Sequence, residues 1–502
     1  MKTPSTIIAK NTLILYLRLS ISIVINLYTT RIVMHALDID GYGVYAVVSS
    51  VVMMWEFFNS ALLNLYQRFI NVAIGKNQNE RLADIIASGR ILQYGIALIV
   101  ALLAETVGVW YVRNHLNIPP EMIATATWVY QFIVVGFIVT IISTPYQAIV
   151  LSRERMNVFA ALSLADVVLR LGIALVVGVF GGNRLLLYAG LLFAATVLIR
   201  FAYRTYCRRH FDECRSPLRW NKALLQEMMR FSGWMMLGIA GDRISTHGVT
   251  QAINIFFVLA ATSARATAQQ ICAVLQNFAS NIILAVQPQI IQSCSSKDYG
   301  YMYKLVFLSS KACFVCLFLF ALPLCLQTDY VLQLWLERVP EQAAVFTRLG
   351  LMEILSGSLC LSLTVVSQAS GNIRYFQMIQ AVRGGLFLLL TVLFYRLGFP
   401  AYTAYLIELA LTLLTCLAML IELNRRMQFP VRQYLIEVGG RLTAMALLAC
   451  ILPLLWRMLM PVNLVNALIS GVICCLSIAL AAWLTALNRF EKQYLKKSCT
   501  FA

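Results

Sequence analysis

Arg243, His247, Gln251 and Asn254 follow one another at spacings of four, four and three. At about 100° per residue that puts them on one face of a helix. Asp242 precedes the arginine. Such a face can line a wet cavity and bind an anion, with His247 titrating near neutral pH; an Asp–Arg lock between packed helices is the plainer alternative. A second face carries Arg18, Ser22, Asn26 and Thr29, with Arg31 beyond it. Arg68, Arg265 and Arg383 add cations, and Gln269 and Gln276 lie on the same face as Arg265. The acids in similar surroundings are Glu56, Asp166, Asp242 and Glu353, candidates for carrying a coupling H⁺ or Na⁺. Asp166 and Arg170 are four apart and can neutralise each other, whereas Arg383 has no acid four residues away. These charges interrupt long apolar runs, where an ion costs about 2.5–3.5 kcal/mol and normally faces water or a partner.

The rest of the chain explains why charge is scarce. Of 502 residues, 60% are apolar and 12% charged, against about 45–50% and about 25% in soluble domains. A chain so composed cannot cover itself with a polar surface, which excludes a cytosolic enzyme, a secreted domain and a disordered protein. Fourteen apolar runs are each long enough to cross a bilayer at about 20 residues per crossing. They extend from 12–36 and 43–72 at one end to 440–458 and 464–487 at the other. The residues before them, Met1 to Lys10, lack the small-residue pattern of a cleaved signal peptide. Nine of the 13 cysteines fall inside the runs and read as small buried hydrophobes.

Net charge is +18, yet no basic domain stands outside the apolar runs, so nucleic acid is not an expected partner. The cations collect in alternate loops. Lys76 and Arg81, Arg153 and Arg155, the stretch from Arg204 to Lys222, and Arg425, Arg426 and Arg432 all belong to one side, with Lys492, Lys496 and Lys497 in the tail. The positive-inside rule therefore predicts both termini in the cytoplasm. The expected organisation is an N-terminal lobe of six helices over 1–204 and a basic cytoplasmic linker over 205–228. A second six-helix lobe over 229–424, a cytoplasmic loop over 425–439, and two further helices with a basic tail over 440–502 complete it.

The two lobes repeat. A shift of 220 residues lays Ser49, Glu56, Ser60 and Gln67 on Gln269, Gln276, Ser280 and Gln287, polar stripes on corresponding helices. A shift of 217 relates Ser152–Phe159 to Ala369–Phe376. Halves in the same orientation imply a pseudo-two-fold axis along the membrane normal. The predicted fold is all-α, polytopic, with about 14 transmembrane helices arranged six, six and two.

Asn11 to Val52, with Asp40, Tyr42, Gly43 and Tyr45 forming a D-x-YGxY turn, resembles the opening of the Wzx-type polysaccharide-biosynthesis (O-antigen) flippases. Phe231 to Met236 (FSGWMM), Asn254 and Ala285 to Ile290 (AVQPQI) are similar to the start of that family's second half. Val258 to Gln270 departs from it, lacking Gly and Asn at the outer turn. The resemblance implies membership of the multidrug/oligosaccharidyl-lipid/polysaccharide (MOP) exporter superfamily, with a fold like the MATE transporters and lipid II flippases. It also implies a bacterial inner-membrane protein that moves an undecaprenyl-pyrophosphate-linked oligosaccharide by alternating access, beside glycan polymerase and ligase proteins. A pyrophosphate wants cationic donors, which assigns Arg18, Arg31, Arg68, Arg243, Arg265 and Arg383 to substrate. No cofactor beyond a coupling H⁺ or Na⁺ is expected.

The alternatives are a cation-coupled multidrug exporter or a lipid II flippase of the same superfamily and, more distantly, a membrane-embedded glycan polymerase or ligase. The chain carries no P-loop, and His35, His115, His210 and His247 are scattered. The largest outer stretch, Gln327 to Gln342, is short for an enzyme holding two substrates.

Overall fold

The computed structural model describes residues 4–486 except 76, 77, 154, 296, 337, 370–372 and 462. Lys76 and the basic tail lie outside the described residues, as do the side chains of Phe231, Trp234 and Arg374. Every element among the described residues is helical, the arrangement that satisfies backbone polar groups without water. Eleven helices among them are long and apolar enough to cross a membrane, and the protein is a multi-pass membrane protein. All fourteen apolar runs fall on helix.

The chain forms two compact units. The first comprises Met1–Ser263 with Leu336–Pro340 and Gly384–Leu388. It contains α1 (Pro4–Met53), α2 (Glu56–Gly75), α3 (Asn79–Leu103), α4 (Val109–Asn114), α5 (Ile123–Ser152), α6 (Met156–Val179), α7 (Arg184–His210) and α8 (Lys222–Phe256). Helix seven of the sequence reading, α8, thus packs within this unit. α1 covers the first crossing and about a third of the second, and kinks at Asp38, whose φ of 59° is left-handed. The Arg338 guanidinium bonds the Asp38 carboxylate there. The second crossing is broken again: helical geometry lapses at Met54 and Trp55, and α2 restarts at Glu56. The stripe from Ser49 to Gln67 straddles that break, which corrects the expectation of one continuous helix.

α5 lies along α7 and α2, and α1 along α6. Buried polar groups pin these contacts. The Tyr66 hydroxyl donates to Gln93 Oε1 at 3.1 Å, and the Gln93 amide donates to the Ile141 carbonyl. A π-helical turn, Ala104–Gly108, extends α3. The buried Tyr130 hydroxyl donates to Ala104 O at 2.9 Å and occupies the place a Gly108 side chain would take. The basic linker is fastened too: Ser88 Oγ donates to Arg219 O at 2.7 Å, and Arg153 pairs with Glu213 at 2.5 Å.

Gly43 of the D-x-YGxY motif, which lies within α1 and not in a turn, is where glycine is required. A Cβ there would stand 2.9 Å from Leu259 O and 2.8 Å from Ser263 Oγ. Both belong to the start of α9 (Leu259–Ser295), whose first residues count with this unit.

The second unit comprises Ala264–Trp335, Glu341–Arg383 and Leu389–Ala502. It holds the rest of α9, then α10 (Tyr299–Leu326), α11 (Thr328–Trp335), α12 (Ala343–Ala369), most of α13 (Ile373–Arg396), α14 (Thr403–Met427), α15 (Val431–Tyr434), α16 (Arg441–Leu459) and α17 (Leu464–Ala481). α12 packs between α10 and α14, and α16 pairs with α17. Tyr434 OH donates to Leu359 O at 3.0 Å, and Ser309 and Ser362 hydroxyls meet at 2.8 Å. α16 and α17 expose apolar side chains such as Leu447, Leu455, Leu468 and Leu476.

Replacing Gly43 with Ala is expected to destabilise the protein by about 1–3 kcal/mol, the usual cost of overpacking. Gly95→Ala, where nothing lies within 4 Å of the added Cβ, should be neutral or stabilising by up to about 1 kcal/mol. Melting curves of both variants in detergent, followed by size-exclusion recovery, check this.

Candidate functional site

Polarity inside a membrane helix does not by itself mark a cavity, because a hydroxyl can bond its own backbone one turn back. Ser49 Oγ donates to Tyr45 O at 2.6 Å and Ser280 Oγ to Gln276 O at 2.9 Å, so these two stripe serines are satisfied locally. On α8, the Gln251 amide donates to Val47 O at 2.9 Å, and Asn254 Oδ1 accepts from Asn117 N at 2.9 Å. Those two fasten α8 to α1 and to the segment after α4. Arg243 and His247 on the same face are half-buried, and the buried Nε of Arg243 has no hydrogen-bond acceptor. Asp242 is half-buried beside them.

Within the first unit lies a cavity of about 620 Å³ lined by α1, α2, α5, α6 and α7. It brings together Arg18, Glu56 and Asp166 with Arg170, Arg200 and Gln147. Asp166 Oδ2 accepts from Arg170 Nε at 3.0 Å, the ion pair that their spacing predicts. Arg18 sits over the Phe159 ring at 4.9 Å from its centroid, and Arg200 Nη1 donates to Gln147 Oε1 at 3.2 Å. The Nε atoms of Arg18 and Arg200 are both buried with no acceptor. An orphaned N–H of this kind costs about 1–3 kcal/mol.

Glu56 opens α2 at its break, where the helix dipole favours a carboxylate. Asn59 Nδ2 donates to Glu56 Oε1 at 2.9 Å, and Asn59 Oδ1 accepts from Thr144 at 2.6 Å. Glu56 is therefore held by an amide, with the charges of Arg243 and Arg200 acting on it without direct contact. Three arginines against two acids leave the cavity with an excess of one positive charge.

The second unit assembles a different group. Arg383 Nη1 donates to Thr412 Oγ1 at 3.4 Å, and Thr412 Oγ1 donates to Glu353 Oε1 at 3.3 Å. The acid that Arg383 lacks on its own helix is thus relayed to it from α12 through a threonine of α14. Arg265 is 1% exposed, its guanidinium 5.3 Å from the Tyr405 ring centroid, a cation–π contact inside packed helices. Gln269 is half-buried and Gln276 exposed. Arg31 is half-buried on α1 and Arg68 exposed on α2, where it can extend to the interface.

Sequence reasoning passed over Arg200, Gln147 and the buried Lys311 of α10, which is 3% exposed. Arg200 ends an apolar run and is followed by Arg204, so it resembles an interface flank; only its facing partner on α5 sets it apart.

No family model matches the chain, and no curated protein matches it. Solved structures do match it, at identities low enough that the likeness is one of fold. The lipid II flippase MurJ in an inward closed conformation matches at TM-score 0.66 and 11% identity, over 92% of this chain and 98% of that one. An inward-facing multidrug resistance MATE transporter matches at TM-score 0.69 and 12% identity, over 83% and 98%. A MOP superfamily transporter from Pyrococcus furiosus, described by the reverse polarity of its binding pocket, matches at 0.59 and 11%, over 83% and 95%. This chain shares their fold, including about fourteen helices.

The Asp166–Arg170 bond bears on stability. Asp166→Asn alone, which strands Arg170, is expected to cost about 1–3 kcal/mol, and Asp166→Asn with Arg170→Gln should cost less than that single change. A double-mutant cycle of thermal melts decides it.

Proposed function

We propose that the protein is a flippase that turns an undecaprenyl-pyrophosphate-linked oligosaccharide, the repeat unit of an O-antigen, capsule or exopolysaccharide, from the cytoplasmic to the periplasmic leaflet. The observation that carries this reading is the arginine excess in a cavity inside an otherwise apolar helical unit. A cation exporter wants acids there, whereas a pyrophosphate wants guanidinium donors. The fold supports it, since a lipid II flippase is among the structures the chain resembles. Alternating access would carry the headgroup across while the polyprenyl tail stays in lipid. The inner membrane of a bacterium, both termini in the cytoplasm, and neighbouring glycan polymerase and ligase proteins belong to the same reading. Arg243 and Arg383 are assigned to the headgroup, and Glu353 to the coupling ion.

Deleting the gene should make the lipid-linked oligosaccharide accumulate, as measured by mass spectrometry, while surface glycan falls. Complementation with Arg243→Ala or Arg383→Ala should restore less than a tenth of the wild-type glycan. Normal glycan and no intermediate, in a strain without a second flippase gene, overturns the reading and points to drug export. Cell death on deletion, with peptidoglycan precursors accumulating, would point to a lipid II flippase instead.

A further inference from the structure

Arg200 was absent from the residues that spacing singled out, yet it lines the same cavity of the first unit as Arg18, which was among them. Both guanidiniums are held at one place and open at another. Gln147 fixes Arg200 through Nη1, Phe159 underlies Arg18, and each arginine keeps a buried Nε–H with no acceptor. Arg170 differs, because Asp166 already engages its Nε. The cavity volume, about 620 Å³, lies within the 300–1,000 Å³ or so typical of small-molecule sites.

We propose that Arg18 and Arg200 together bind an oxyanion, a phosphate or pyrophosphate, within the first unit, and that Glu56 is its internal competitor. An oxyanion satisfies both orphaned N–H groups at once and neutralises the excess positive charge. Glu56 is the cavity carboxylate that no arginine contacts directly. While the site is empty, its charge offsets Arg200 across the cavity; once an anion enters, the two negative charges repel. Gln147 is a positioning residue, orienting the Arg200 guanidinium without touching the anion. Resting on the flippase reading, the anion is the pyrophosphate of a polyprenyl lipid, though free pyrophosphate offers the same chemistry.

The test is binding of inorganic pyrophosphate to the purified full-length protein in lipid nanodiscs, by calorimetry, with undecaprenyl pyrophosphate as competitor. Arg200→Gln and Arg18→Gln should each weaken binding at least tenfold, and Arg200→Lys should weaken it less. Glu56→Gln should tighten it at least threefold. Arg113→Gln, outside this cavity, is the control and should change nothing. Wild-type affinity in Arg200→Gln, or no pyrophosphate binding by the wild type, overturns the site. Competition by undecaprenyl pyrophosphate identifies the lipid as the source; its failure to compete while inorganic pyrophosphate binds assigns the site to the free anion. The two readings fail separately. Arg200-dependent binding with normal surface glycan in the deletion strain overturns the flippase and leaves the site. Lost glycan in that strain with binding indifferent to Arg18 and Arg200 does the reverse.

Discussion

A bilayer offers no water to a stranded donor or acceptor, and that constraint governs nearly every polar side chain described above. Backbone groups meet it by forming helices throughout. Serines and threonines meet it by bonding the carbonyl one turn back, as Thr140 does to Gly136 O and Thr196 to Leu192 O. Longer side chains meet it across helices, as Gln93, Gln251 and Asn254 do. What remains after these settlements is a small set of groups whose bonding is incomplete, and Arg18, Arg200 and Arg243 stand in it. Function is sought there because such atoms stay orphaned at a cost.

The two units solve the problem of a buried arginine differently. In the first, Arg170 is neutralised along one helix by Asp166, while Arg18 and Arg200 share a cavity with Glu56. In the second, Thr412 links Arg383 to Glu353, and Arg265 rests on an aromatic face. The first leaves open space beside its cations. A repeat that matches residue types over 220 positions therefore does not match their uses. Ser49 in one stripe and Ser280 in the other each have a hydroxyl consumed by their own helix.

Much of the architecture was legible in one sequence because hydropathy and local spacing encode it. The fourteen apolar runs and the Asp166–Arg170 pair each depend on residues close in the chain. Arg200 with Gln147, and Arg383 with Glu353, were not legible. Each joins helices far apart in sequence, and the rotation and depth at which those helices meet leave no periodic trace. The lapse at Met54 and Trp55 was hidden for another reason: neither residue is a glycine or a proline, so nothing in the local chemistry marks a stop. Where composition alone was informative, in the basic linker, the structure adds that it is held down, by Asp84, Ser88 and Arg153.

The π-helical turn at Ala104–Gly108 has a further consequence for counting. Such a turn carries one residue more than an α-helix would use over the same rise. Everything beyond it, from Trp110 to Asn114, is therefore rotated by about 100° relative to the phase set by α3. A homologous chain with one residue fewer between Leu103 and Val109 would have an unbroken helix of nearly the same length and a different outer face. A gap of one in an alignment here is a change of direction, and residues matched straight across it would be paired with the wrong side of the helix.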